Sequence, residues 1–426
     1  MKHTLFLLAV AAASAVLASC SQKANASENN GNGITLKEKQ CTTNTKPCEI
    51  QLSEQQQTFV NDNNAFTINF LKTVNDADKS GKSFIYSPLS ITYVLSMVNS
   101  AAEGNTQSEL EQTLGFREGG AKAVNEFCKT LIDSLPKVDK NVQLNIANAI
   151  FVNKNYKLKK SFSRNAVFYY DALAESHDFS STKTLDRING WCKDKTNGMI
   201  PSILDEINPE ALSYLLNAIH FKAGWTEPFE ESSTKEQKFY TANGPVMTPL
   251  MHHTYAYKYM KNNTFAAVDI PYGNEQWSMT VLLPHKGKTT DNVIDYLVQN
   301  GMTFAKSLAW NTVDLKLPRF ETESTTENLI ATLQKLGIIR VFGHGSEIPN
   351  MCDANVFISM MLQKARIKVN ESGSEAAAVT VAVMEKTMAV REPEPIVMFH
   401  ADRPFVYMIR EASTGVILFV GKFTGE

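Results

Sequence analysis

Between the strand-like run Ile358–Asn370 and the proline-punctuated stretch 392–395 lies the segment that most restricts what this chain can become, Glu371–Arg391, ESGSEAAAVTVAVMEKTMAVR. With period two, the even positions from Ser372 to Met384 are all uncharged and mostly small, whereas Glu371, Glu375 and Glu385 are odd. A strand made from it presents one face fit for burial and one fit for water. A helix must instead begin with Ser-Gly-Ser and absorb Val379, Thr380, Val381 and Val383, whose branched side chains crowd the preceding turn. A permanent strand of this length is also unusual, since most run about five or six residues. The reading that satisfies both facts is a conditional strand: an exposed ribbon, from Glu371 to about Pro395, able to join a sheet.

Six motifs, in order, give that reading a context. Ser87-Pro88-Leu89-Ser90 suits the start of a buried helix, with Ser87 as cap and Pro88 in the first turn. Leu216-Asn217-Ala218-Ile219-His220-Phe221-Lys222-Ala223-Gly224-Trp225 reads as a strand, and Leu315-Lys316-Leu317-Pro318-Arg319-Phe320, Asp402-Arg403-Pro404-Phe405 and Leu418-Phe419-Val420-Gly421-Lys422 follow downstream. Together with Glu371-Ser372-Gly373-Ser374-Glu375-Ala376-Ala377-Ala378, these resemble the signatures and the loop hinge of the inhibitory serpins, from about residue 55 to 426. The resemblance implies an α+β serpin fold, with three β-sheets, about eight or nine helices and an exposed reactive-centre loop.

The rest of the chain agrees with an exported globular protein. Hydrophobic residues make up 43% and charged residues 20% of the 426, enough for a sizeable core. A net charge of -2 provides no field for nucleic acid. Lys2 and His3 precede an apolar run, Leu5–Leu17, that is too short to span a bilayer. Residues 1–19 therefore read as a signal peptide, and Leu17-Ala18-Ser19-Cys20 resembles a bacterial lipobox, which implies lipidation of Cys20 and anchorage to the cell envelope. A plain secretory signal with an incidental cysteine is the alternative, and both imply export. Residues 20–52 are polar and read as a flexible tether, in which Cys41 and Cys48 either close a small loop or stay unpaired. Cys128, Cys192 and Cys352 are scattered and read as small buried hydrophobes.

Within the folded part, 53–426, apolar spacing predicts helices over Thr58–Val74, from Ser87, over Ser108–Leu114 after a break at Glu103–Thr106, over Ser161–Tyr170 and over Thr325–Leu336, while Asp186–Trp191 resembles the serpin helix that crosses the main sheet. Strands are predicted at Leu144–Val152, Tyr214–Phe221, Met279–Leu283 and Val313–Leu317.

No catalytic constellation is present in the sequence: there is no GxSxG, HExxH, CxxC or GxxxxGK[ST]. His252 and His253 point to opposite faces of any strand, which argues against a shared metal, and they are expected at the surface. No cofactor is expected. The resemblance implies an inhibitor rather than an enzyme, one that lets a target protease attack the loop and then traps the acyl-enzyme by inserting the loop into the central sheet. The hinge residues suit this, since Gly373 tolerates the backbone change, Ser374 is small and Ala376–Ala378 offer little steric delay.

Counting about seventeen residues from Glu371, as family-like loops do, puts the bait bond at Thr387-Met388, with Lys386-Thr387 its neighbour. Lys386 suits trypsin-like enzymes, and the apolar residues nearby suit elastase-like or subtilisin-like ones; cysteine proteases share the acyl chemistry. Ser87, Ser90 and Asn217 resemble the polar cluster beneath the sheet centre, and Trp225 the aromatic where the loop first enters. Gln363 stands where many relatives carry a histidine and cannot titrate. Around Glu126–Lys137 the mixed charges argue for a solvated face, not a polyanion site. A monomer is expected. The competing readings are a non-inhibitory serpin and a surface lipoprotein that binds a solute or adheres. The hinge, free of proline and of charge on its even positions from 372 to 384, speaks against the first.

Overall fold

The computed structural model describes residues 49–117, 119–324, 328–374 and 395–426. Cys20, Cys41, Cys48, Glu375, Ala376, Ala377, Ala378, Lys386, Thr387 and Met388 lie outside these residues. Helix α1 (Glu54–Ala77) begins on a capping box, in which Ser53 accepts from the Gln56 amide and Gln56 returns to the Ser53 amide. Strand β1 (Phe84–Tyr86) leads through Ser87, which accepts from Ser90 N, into α2 (Pro88–Asn99), a helix buried on every side. Helix α3 (Gly104–Leu114) starts inside the expected break at 103–106 and stops at Gly115. A side chain there would meet the Asp62 backbone at 2.6 Å, and φ is +88°.

Helix α4 (Gly120–Ser134), β2 (Gln143–Asn153), α5 (Lys160–Tyr170), β3 (Ala172–His177), α6 (Thr182–Lys195) and β4 (Ser213–Gly224) follow. Next come β5 (Lys235–Thr241), β6 (Gly244–Lys261), β7 (Phe265–Tyr272), β8 (Trp277–Pro284) and α7 (Thr290–Asn300). The chain then forms β9 (Ala309–Pro318), β10 (Phe320–Glu323), α8 (Ile330–Lys335), β11 (Met360–Asn370) and the two-residue β12 (Gly373–Ser374). Strands β13 (Val397–His400), β14 (Phe405–Glu411) and β15 (Ile417–Phe423) close it. Helices and strands are mixed along the chain, as the expected α+β class requires.

Hydrogen bonding joins the described strands into two sheets rather than the three expected. One is six-stranded, in the order β10-β11-β12-β4-β2-β3. The other is nine-stranded because β6, eighteen residues long, pairs along much of its length with β5 and β9 and at Lys258–Lys261 with β7. One long strand thus welds two sheets. The main core lies between the two sheets and the helices α1 to α5, and a smaller cluster of Phe151, Ile188, Trp191, Tyr214 and Leu362 seats α6 on the six-stranded sheet. Cys128, Cys192 and Cys352 are buried and free, and burial pushes their thiols up to about 12, 12 and 11.

Candidate functional site

The six-stranded sheet contains a fork. Strands β4 and β11 run parallel and directly paired from Tyr214↔Met360 to Ile219↔Ala365. Beyond that they part, β11 keeping β10 on its other side, and β12 fills the gap. There Gly373 lies opposite Asn370 and Gly224, and Ser374 opposite Val369 and Ala223, both antiparallel. The chain thus leaves the top of β11, turns through Glu371 and Ser372, and re-enters the sheet for two residues. The Asn370 carboxamide directs the turn by accepting from the amides of Ser372, at 3.0 Å, and Gly373, at 3.2 Å.

Position 373 admits only glycine. Its φ is +147°, and a Cβ there would sit 2.1 Å from the Ala223 carbonyl oxygen. Ser374 is fully buried, its Oγ 2.5 Å from the Tyr272 hydroxyl. Burial holds that phenol protonated far above its usual range. Tyr272 stacks on Trp225 with ring centroids 4.3 Å apart and planes 10° from parallel. Trp225 in turn grips the turn twice, its Nε1 donating to Asn370 O at 2.9 Å and its amide to Ser372 O at 3.0 Å.

Glu371 departs from the expected solvent-facing position. It is 5% exposed, and its Oε1 accepts from Arg319 Nε at 2.6 Å and from Thr234 Oγ1 at 2.5 Å, while its carbonyl accepts from Phe229 N at 2.9 Å. Period two fails here because residues 371 and 372 form a turn, and a cation waits beside it. Burial pushes the carboxyl up, but Thr234 and Arg319 outweigh it and hold the group below the ordinary glutamate value. Glu371–Ser374, the first four residues of the expected exposed loop, are therefore folded against the sheet instead.

Beneath the fork, where β4 and β11 are still paired, a ladder of amides crosses three strands: Gln363 is opposite Asn217, and Asn217 opposite Asn148. All three are buried. Gln363 Nε2 donates to Asn217 Oδ1 at 2.9 Å and to Ser87 O at 2.8 Å, while its Oε1 accepts from Ser87 N at 2.8 Å. Asn217 Nδ2 donates to Asn148 Oδ1 at 2.9 Å. Ser87 Oγ donates to Leu418 O at 2.6 Å and lies 3.1 Å from Ser90 Oγ. The structure thus gathers Ser87, Ser90, Asn217 and Gln363, and it places Trp225 with Gly373 and Ser374 above them. Sequence reasoning missed Asn148, Tyr272, Thr234 and Arg319. Only Asn148 carried a local signal, an amide inside the apolar run Leu144–Val152.

The two adjacent histidines do face opposite ways, but neither is a simple surface residue. His252 Nε2 lies 2.7 Å from Asp314 Oδ1, and His400 Nε2 lies 3.2 Å from Asp314 Oδ2. His253 is half-buried, stacked on Tyr255, with Nδ1 3.0 Å from the Tyr257 hydroxyl. Among the described residues no group of three or more His, Cys, Asp or Glu is placed to hold a metal ion, and no helix is long and apolar enough to cross a membrane.

Comparison with known proteins agrees with this geometry. The family model described as "Serpin (serine protease inhibitor)" matches residues 61–425. The chain is 30% identical over 379 residues to serpin B6 of Macaca fascicularis, covering 85% of this chain and 98% of that one. It is 29% identical to the leukocyte elastase inhibitor of Sus scrofa, with the same coverage. The native-state structure of the thermophilic serpin tengpin matches with a TM-score of 0.78 and 28% identity, over 88% of this chain and 96% of that one. Thyroxine-binding globulin in complex with thyroxine matches with a TM-score of 0.76 and 27% identity, over 86% and 98%. Motifs, fork and matches converge, and the chain belongs to the serpin family.

Proposed function

We propose that this protein is an exported suicide-substrate inhibitor of serine proteases, with cysteine proteases open to the same acyl chemistry, and that the β4–β11 fork is where its loop inserts. The observation that carries the reading is β12. Gly373 and Ser374 already occupy the first two positions of a strand between β4 and β11, antiparallel to both. A loop cut at Lys386-Thr387 or Thr387-Met388 extends that strand downward, first filling the unpaired stretch of the fork and then, from Ile219↔Ala365 on, replacing each β4–β11 pairing with two. Each new backbone hydrogen bond is worth about 1 kcal/mol net. The even residues Ala376, Ala378, Thr380, Ala382 and Met384 follow Ser374 in its inward orientation.

Below Ser374 the incoming strand must part Gln363 from Asn217, so the amide ladder acts as a catch that keeps the uncut sheet closed. The acyl-enzyme is carried along and distorted before water deacylates it. Trypsin-like enzymes are the targets if Lys386 precedes the cut, and elastase-like or subtilisin-like enzymes if the apolar flank is read. Cys20 would anchor the molecule to the cell envelope of a bacterium through lipid, with residues 20–52 as tether.

Mixing the protein with trypsin and with elastase tests the reading. Expected are an SDS-stable covalent complex, an intact mass that identifies the cut bond, and a large rise in melting temperature of the cleaved form. Simple cleavage without complex and without that rise would instead favour a non-inhibitory serpin.

A further inference from the structure

Helix α5 departs from the pattern of a surface helix. Its inner face is fixed by Phe162, Ala166 and Tyr170, buried at four-residue spacing, with the Tyr170 hydroxyl donating to Ser96 O at 2.9 Å. The opposite face of such a helix is ordinarily polar and of mixed charge. Here it carries Val167, 61% exposed, and Phe168, 60% exposed, beside the exposed Lys160 and Arg164. No other described helix bears two large exposed hydrophobics. Lys160, Arg164 and Phe168 succeed one another every four residues, so cations and apolar side chains share one stripe.

The charge of this face has one sign. Residues 156–170 contain Lys157, Lys159, Lys160 and Arg164 and no acidic residue. None of the four has a carboxylate partner among the described residues, and Asp171, just past the helix, lies 3.8 Å from Lys195 instead. Lys159 and Lys160 also sit at the start of the helix, where its dipole opposes positive charge. Neither the wet phenylalanine nor the unpaired cations stabilise the fold. Together they suit a partner that offers negative charge and hydrocarbon side by side.

We propose that the outer face of α5, with Lys157 beside it, docks on an anionic lipid bilayer, Val167 and Phe168 entering the headgroup layer while Lys157, Lys160 and Arg164 meet lipid phosphates. The proposal rests on the envelope-anchored reading above. Surface chemistry selects the occupant. A soluble polyanion would satisfy the cations but leave Val167 and Phe168 in water, and a two-fold contact with a second copy would bring two sets of unpaired cations together. A bilayer takes both kinds of side chain and needs no groove, only a convex helix face. The chain path agrees. Gln56, in the first turn of α1, donates from Nε2 to Thr130 Oγ1 on α4 at 3.1 Å. Its neighbour Lys129 pairs with Asp133 at 2.9 Å and holds its Nζ 4.8 Å from the Phe168 ring centroid. The N-terminal entry to the folded body and the apolar stripe thus flank the same turn of α4. Docking in this way would restrict the inhibitor to proteases working at the envelope surface.

The test uses residues 20–426 carrying Cys20→Ser, so that no lipid on the chain contributes, with vesicles of phosphatidylcholine alone or with one third phosphatidylglycerol. Each cation near an anionic surface multiplies partition about fivefold, so wild type should co-sediment with the anionic vesicles at least tenfold better than with the neutral ones. Lys160→Glu/Arg164→Glu should abolish that preference, and Val167→Ser/Phe168→Ser should lower partition into anionic vesicles fivefold or more. All four side chains are exposed, so melting temperatures stay within about 2 °C of wild type, and the stoichiometry of protease trapping is unchanged. Equal partition into both kinds of vesicle, or either double variant within twofold of wild type, overturns the surface and leaves anchorage and inhibition standing. Retention on dextran sulfate without vesicle binding, lost in the charge variant and kept in the apolar one, reassigns the face to a soluble polyanion and also overturns the proposal. An exported wild-type chain whose intact mass shows no acyl group overturns the anchor and the proposal together.

Discussion

Replacing Ser374 with arginine tests the coupling between the seated hinge and trapping. Ser374 is fully buried, its Oγ bonded to Tyr272, whose ring is stacked on Trp225. A guanidinium forced into that site without a counter-charge costs several kcal/mol. The uncut protein can avoid this by unseating β12. It then gives up a few backbone hydrogen bonds, at about 1 kcal/mol each, and leaves the Tyr272 hydroxyl to find water, at about 1–3 kcal/mol. Unseating therefore caps the loss of native stability at about 6 kcal/mol. Insertion has no such escape, because residue 374 must pass back into the sheet before any later residue can follow. A barrier raised by about 3 kcal/mol slows insertion roughly 150-fold. Deacylation is untouched, so Ser374→Arg is cleaved as a substrate, while Ser374→Thr, which keeps the hydroxyl, still traps. The assay titrates protease against each variant and quantifies complex and cleaved product on denaturing gels. Near one-to-one trapping by Ser374→Arg would refute the argument.

Three further perturbations probe the same fork. Gly373→Ala places a methyl 2.1 Å from the Ala223 oxygen at φ +147° and should lower stability by about 1–3 kcal/mol, read by denaturant melts, and raise substrate turnover relative to trapping. Gln363→Leu strands Asn217 and the Ser87 amide, so the uncut form should lose about 2–3 kcal/mol, measured by thermal unfolding; an unchanged melting temperature would show that the ladder is not a catch. The Glu371 carboxyl titrates below its ordinary value, so its stabilising contribution is complete above the unfolded-state pKa of about 4.3 and disappears as pH falls through the lower folded value. Thermal melts of wild type and Glu371→Gln should accordingly differ at pH 7 and converge below pH 4. Because Arg319 is partly exposed, the pH 7 difference is expected at about 1 kcal/mol, and a gap that persists in acid would assign it to packing instead.

Much of the architecture could be read along the chain because its signals are local. Ser87-Pro88 starts a helix by a cap and a fixed φ, Gly115 ends one by a left-handed turn, and the apolar runs of β4 and β9 announce buried strands wherever they end up. The small, uncharged even positions of the loop segment likewise state that it can be buried. Their destination is not written there. Asn148 was the one hidden partner with a local trace, since an amide amid apolar neighbours needs another polar group.

What residues near in sequence could decide, the sequence by itself determined: the family motifs, the hinge glycine, the order of helices and strands. The tertiary structure alone decided that Glu371 is buried rather than wet, that Ser374 meets a tyrosine 102 residues away, and that Arg319, 52 residues before the hinge, neutralises it. It alone gathered seven exposed hydrophobics onto β5, β6, β9 and β13 or immediately before β13. The reason is physical: whether a charge is solvated or an apolar side chain covered depends on which distant strands stand beside it, and no period of two or 3.6 residues encodes that partner.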